Sequence, residues 1–427
     1  MLSVSVRWRT LFWLFVIVLI AYFDRVNFSI AAPLLMKEFG LGAAQLGLIM
    51  SAFTIGYTIL NFPAGFIVEK YSASRSLAVI IALWSVMTVL TGFAWSFASL
   101  MVLRIVFGMC EGPMPPANTK IVNMWMLPKE RATASGLWIA AIPAGVIIGN
   151  LVSSVIVTNW GWRSVFYLFG VVGVVVAFIT WKVLRDRPEE HPSITREELN
   201  LIQSSIPAQA SGAKGSGLWG LLRNPWVWVF SIVYFAISMV LWGNLNWLPT
   251  YFIKARGSSL LKSGVLASVP WIAAFFGPLV LGWISDKTGG KKRSLWLAGA
   301  LFIMVPAIML AITTPSLNLC LAGFAATSFL AFGAYSLIYA LPMEIFDRRD
   351  VAKVTGIMLA WGSFAGVIAP SLIGYVLQET NSFNIAYYIF SAVSFLGGCL
   401  ALVLLSKERS VHRLMEAAAV PTAAKGS

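Results

Sequence analysis

The chain has 427 residues, of which 59% are hydrophobic and only 11% charged, and its net charge is +14. A charged fraction so far below the roughly 25% of soluble domains excludes an ordinary globular enzyme and indicates a helical membrane protein; the apolar runs are too long for an outer-membrane barrel. The basic residues sit in short gaps between those runs and form no basic domain, so nucleic acid is excluded as a partner.

The first apolar run covers 11–36. It is too long for a secretory leader, and no small-residue cleavage site precedes "PLLMKEFG", so it reads as a retained span. Eleven more follow, at 44–69, 77–96, 98–123, 131–157, 163–184, 225–252, 261–286, 293–313, 316–343, 351–377 and 384–406, each near the roughly twenty residues that cross a bilayer. The expected class is an all-α protein of twelve transmembrane helices in two six-helix bundles. The expected domains are 1–184, a cytoplasmic linker 185–224, 225–406 and a tail 407–427.

With a cytoplasmic N-terminus, only Lys37, Arg163, Lys254, Arg256 and Lys262 fall on the outer side, and Arg25 and Arg104 fall inside spans. All other lysines and arginines are then cytoplasmic, which places both termini there. Outer loops this short leave no room for an external catalytic domain. In the linker, Thr195 and Glu198 have capping-box spacing, so a short surface helix is expected, followed by a flexible "PAQASGAKGSG".

Cys110, Cys320 and Cys399 lie in apolar runs and His191 and His412 in separate polar segments, so neither a disulfide framework nor a metal site is expected. No nucleophile–base constellation or nucleotide loop suggests an enzyme.

The halves repeat. "GFIVEKYSASR" from Gly65 returns as "GWISDKTGGKKR" from Gly282, 217 residues on, and "TASGLWIAAIPAGVI" (133–147) returns as "KVTGIMLAWGSFAGVI" (353–368). Two such repeats are a transporter architecture. The second loop is similar to the signature of the major facilitator superfamily, with Glu69 replacing the usual Asp in the first copy. Asp286, Lys287, Arg293 and Glu69 are therefore read as gating and topology residues. "AYFDRVNFSIAAP", "LRIVFGMCEGPMPPANTKIVNMW", "PKERATASG" and "RDRPEEHPSITREEL" resemble the anion:cation symporter family, most closely its bacterial sugar-acid and organic-acid members.

Four charges lie within spans: Asp24, Arg25, Arg104 and Glu111. Each costs about 2.5–3.5 kcal/mol at a helix centre, so they are expected to face the protein interior. Arg104 and Glu111, seven apart, share a face of the fourth span; Asp24 and Asn27, three apart, share a face of the first. Two charge pairs that only hold helices together are one reading. The other divides the labour: arginine forks onto an anion, while a carboxyl group changes protonation. The resemblance implies the second, with Asp24 and Glu111 as proton-coupling acids, Arg25 as the main substrate contact, Arg104 associated with the acids, and Tyr57 as a substrate-contacting tyrosine.

The second half departs from the sugar-acid pattern, with Ile142 and Ala360 where that pattern has a glutamine and an asparagine. Candidate replacements are Asn244, Asn246, Tyr335, Ser336, Tyr339 and Trp361. Together with Arg25, Arg104, Tyr57 and Asn27, the residues Asn244, Tyr335, Tyr339 and Trp361 complete the expected binding set, for a sugar acid, an aromatic acid, a small carboxylate or a sulfonated carboxylate. The expectation is a monomeric proton symporter in a bacterial inner membrane, with lipid and a small organic anion as partners and protons in place of a cofactor. An anion exchanger is the alternative, disfavoured because 226–252 has no lysine or arginine; a non-transporting sensor is a further one.

Overall fold

The computed structural model describes residues 5–127, 130–205, 217–288, 292–346 and 348–419. Its described residues form fifteen α-helices and one 3-10 turn: α1 Val6–Phe39, α2 Ala43–Lys70, α3 Ala73–Gly92, α4 Phe97–Glu111, α5 Met114–Trp125, α6 Arg131–Trp160, α7 Trp162–Val183, α8 Arg196–Ser205, α9 Leu218–Leu222, α10 Pro225–Lys254, α11 Leu260–Lys287, α12 Arg293–Thr313, α13 Leu317–Ile345, α14 Arg348–Thr380 and α15 Asn384–Ala419. Among the described residues twelve segments are long and apolar enough to cross a membrane, one for each expected span. The fourth span is not one smooth helix. It breaks at Gly112-Pro113 into α4 and α5, because proline lacks the N–H that would continue the α4 ladder. Helix α15 extends past the expected 406 to Ala419.

The chain divides into two compact units. Unit 1 comprises 1–211, 243–271 and 367–382; unit 2 comprises 212–242, 272–366 and 383–427. In unit 1, α1 packs on α6 and α7, α2 on α4, and α3 on α4, α5 and α7. The α2–α4 contact is made by glycines. A Cβ on Gly56 would overlap the Ile105 carbonyl, and one on Gly108 would overlap the Phe53 carbonyl. Backbone therefore touches backbone, and the side chains beside these glycines meet at short range. Unit 1 also closes on its 367–382 segment: Ser51 Oγ donates to the Val367 carbonyl at 2.6 Å and lies 2.7 Å from Ser371 Oγ.

Some helix starts are capped locally, and those of α1 and α12 are capped by side chains distant in sequence. Thr195 Oγ1 accepts from Glu198 N at 3.2 Å, so the expected start of α8 is present. The Glu198 carboxylate does not return to its own helix start. It accepts from Val6 N and Arg7 N, each at 3.0 Å, and so caps α1. In unit 2, Glu408 does the same for α12, accepting from Arg293 N at 2.8 Å and Ser294 N at 3.1 Å. The linker stretch 206–216 lies outside the described residues.

Candidate functional site

Four of the expected residues converge in unit 1. Arg25 on α1 is 7% exposed and Glu111 at the end of α4 is fully buried. They pair, with Arg25 Nε donating to Glu111 Oε1 at 2.9 Å. Arg25 Nη1 donates to the Tyr22 hydroxyl at 3.1 Å. The rings of Tyr22, Phe53 and Tyr57 surround the guanidinium, their centroids 4.5, 5.1 and 5.1 Å from its central carbon. Tyr22 and Phe53 were not among the expected contacts. The signal for Tyr22 was its place one turn before Arg25.

Arg104, 3% exposed, lies one turn-pair before Glu111 on α4. Its guanidinium is 4.5 Å from the Phe28 ring, 5.1 Å from Phe53 and 5.3 Å from Phe107. Phe53 is thus equidistant from both guanidinium groups and ties them into one site. Arg104 Nε has no hydrogen-bond partner among the described residues, and no carboxylate there lies within ion-pair distance of it.

Asp24 and Arg25 do not pair with each other. Neighbours in a helix are rotated by about 100°, so while Arg25 meets Glu111 of α4, Asp24 faces a different direction. The Asp24 carboxyl is 1% exposed, and neither oxygen has a hydrogen-bond partner among the described residues. Asn27, one turn on, is fully buried with both amide atoms in the same condition. A buried unpaired carboxyl group beside a buried ion pair has the chemistry of a protonatable site.

Asn244 and Asn246 on α10 are buried, 1% and 8% exposed, and belong to unit 1. The other expected contacts are in unit 2. Tyr335 and Tyr339 on α13 gather around Tyr234 on α10, which the sequence did not single out. Tyr234 stacks on Tyr335 with centroids 5.0 Å apart, and its hydroxyl lies 2.8 Å from that of Tyr339. Ser238 Oγ donates to the Tyr234 carbonyl and lies 2.9 Å from the Tyr335 hydroxyl. The four-residue spacing of Tyr234 and Ser238 was the available signal. Trp361 stays apart from this trio and packs edge-on against Trp228, Phe235 and Phe364. Ser336 Oγ donates to the Gly333 carbonyl on its own helix.

Of the loop residues, Asp286 pairs with Arg293 at 2.8 Å, and Arg293 reaches Glu344 at 3.1 Å. Lys287 is exposed, 4.6 Å from the Trp283 ring. The side chain of Glu69 lies outside the described residues. No group of three or more His, Cys, Asp or Glu side chains able to hold a metal occurs among the described residues.

Twelve apolar helices and buried charges at mid-span define a membrane transporter. The chain belongs to the Major Facilitator Superfamily, whose family model matches residues 14–346 and 290–423. It is 30% identical over 388 residues to the hexuronate transporter of Bacillus subtilis, covering 88% of this chain and 89% of the relative. It is 31% identical over 395 residues to a probable sulfoacetate transporter of Cupriavidus necator, covering 90% of each. It is also 31% identical over 424 residues to a probable galactarate/D-glucarate transporter of Escherichia coli, covering 94% and 93%. Among solved structures, a bacterial homologue of the human lysosomal transporter Spinster, in an inward-facing and unoccupied conformation, has the same fold. Its TM-score is 0.76 at 19% identity, over 99% of this chain and 100% of that one. The protein is a multi-pass membrane transporter and not an enzyme.

Proposed function

We propose that the protein is a proton-coupled symporter that carries a small organic anion into a bacterial cell across the inner membrane. The observation that carries this reading is the Arg25–Glu111 pair, buried and 2.9 Å long, with aromatic walls. An anionic substrate and Glu111 compete for one guanidinium. While Glu111 is ionised it occupies Arg25 Nε. A proton on Glu111 removes the charge from that bond and leaves Arg25 to fork onto a carboxylate or sulfonate. Asp24 takes a second proton, so that bringing in an anion leaves no excess negative charge in the bilayer.

The relatives above are named a hexuronate transporter, a probable sulfoacetate transporter and a probable galactarate/D-glucarate transporter, and every anion in those names carries a carboxylate. The halves work by alternating access as a monomer, with both termini in the cytoplasm and Asp286, Lys287, Arg293 and Glu69 at the helix ends that gate the inner side.

The test is proton movement. Proteoliposomes carrying a pH-sensitive dye are given hexuronate, sulfoacetate, D-glucarate or D-galactonate outside. The symport reading predicts internal acidification with one of these anions. An anion that accumulates only against a preloaded internal anion, with no proton entry, would establish an exchanger instead.

A further inference from the structure

Arg25 and Arg104 are held differently. Arg25 donates from Nε to Glu111 at 2.9 Å and from Nη1 to the Tyr22 hydroxyl at 3.1 Å. Arg104 is 3% exposed, yet it makes no hydrogen bond and no ion pair with any described residue, and its Nε is shut away without an acceptor. A guanidinium carries five N–H donors and remains charged throughout the physiological pH range. What surrounds this one is aromatic: the ring centroids of Phe28, Phe53 and Phe107 lie 4.5, 5.1 and 5.3 Å from its central carbon. Ring faces attract a cation but supply no carboxylate-like acceptor. Buried polar groups are nearly always partnered, so a guanidinium given only ring faces by the polypeptide is suited to take its acceptor from a ligand.

The two arginines belong to one site. The Phe53 ring centroid is 5.1 Å from each central carbon, so those carbons lie no farther apart than twice that distance. Charged hydrogen bonds of about 2.8 Å at each end leave between them the length of a short carbon chain. The charges lead to the same ligand. With all four groups ionised, Asp24 and Glu111 balance Arg25 and Arg104. In the proton-loaded form of the symport reading above, on which this inference rests, both acids are neutral and two buried cations remain. An anion with one acidic group pairs with one cation and leaves the other unpaired in an apolar site, which is strongly unfavourable. A molecule with an acidic group at each end pairs with both.

We infer that the transported anion is dianionic, with one carboxylate or sulfonate on Arg25 and a second acidic group, a few carbons away, on Arg104. Arg104 is then the specificity-determining residue, selecting two acidic groups over one.

Thermal unfolding of the full-length protein in detergent reads that selection in matched pairs differing by one acidic group: D-glucarate against D-gluconate, succinate against butyrate, and sulfoacetate against acetate. Inorganic phosphate serves as a compact anion whose charges sit on a single group. At neutral pH the carboxyl groups of all these acids are ionised in free solution. The dianion of one pair is expected to raise the unfolding midpoint, with an apparent affinity at least tenfold above that of its monoanionic partner. Arg104→Gln is expected to bring the dianion down to its partner's affinity, and Arg104→Lys, which keeps the charge, to retain part of the preference. A monoanion that binds wild type as tightly as its dianionic partner would overturn the inference, and so would stabilisation by phosphate alone. Equal weakening of both members of the pair in Arg104→Gln would make Arg104 a support of the site and not a contact of the second acidic group. None of these readouts involves proton movement, so the dianion inference can fail while internal acidification of proteoliposomes still supports symport, and the symport reading can fail while the pairwise selection holds.

Discussion

Replacing Glu111 by glutamine keeps the shape of the side chain and deletes the charge that holds Arg25. Both groups are nearly sealed, with side-chain exposures of 0% and 6%. Removing one partner of a buried ion pair costs about 3–5 kcal/mol, because the survivor is left charged in an apolar site. Glutamine still offers an oxygen to Arg25 Nε, and the Tyr22, Phe53 and Tyr57 rings still face the guanidinium, so the loss should fall near about 3 kcal/mol. The same deletion frees the anion site. A ligand at a hundred times its dissociation constant returns about 2.7 kcal/mol, and in Glu111→Gln it no longer has to displace a carboxylate. Thermal unfolding in detergent, with and without each of hexuronate, sulfoacetate, D-glucarate and D-galactonate, reads both effects. The expected result is a lower midpoint for the variant without ligand and a larger upward shift on adding the one anion that binds. If the variant unfolds with the wild type and responds no more strongly to every anion that shifts the wild type, Glu111 and the substrate do not compete for Arg25.

Gly108→Val should push α4 away from the Phe53 carbonyl on α2 and separate the rings from the guanidinium groups; uptake should be lost even where the protein is expressed and folded, as judged by size-exclusion chromatography. Glu198→Ala removes both acceptors that cap α1, and at about 1 kcal/mol for a lost cap it should lower the unfolding midpoint while leaving anion affinity unchanged. Tyr234 lies against Gly362 so closely that a Cβ there would overlap its ring. Gly362→Ala should therefore displace Tyr234 and raise the KM for uptake of the transported anion, and Tyr234→Phe should do so more mildly.

The twelve spans were legible because each is a continuous apolar run, and the repeat was legible because its loop residues are spaced alike. The membrane-embedded charges stood out against that background. Their partners did not. A helix face can be read from spacing, but which face meets α4 depends on how α1 is rotated within the bundle. That rotation gave Glu111 to Arg25 and left Asp24 without an ion-pair partner among the described residues. Tyr234 escaped notice because an aromatic residue in an apolar run looks like packing, and only Ser238, four residues on, marked a polar stripe. Glu198 shows a different gap: its spacing from Thr195 located a helix start correctly, while its carboxylate served another helix 191 residues away in sequence.

In the proposed mechanism Arg25 binds the anion and Asp24 carries a coupling proton. Counterflow in proteoliposomes separates the two, since it needs binding and reorientation but no net proton movement. Asp24→Asn is expected to keep counterflow of one carboxylate or sulfonate and to lose accumulation driven by a pH gradient, while Arg25→Ala is expected to lose both. Normal counterflow and normal gradient-driven uptake in both variants would show that these buried charges only hold the helices together, and would contradict it.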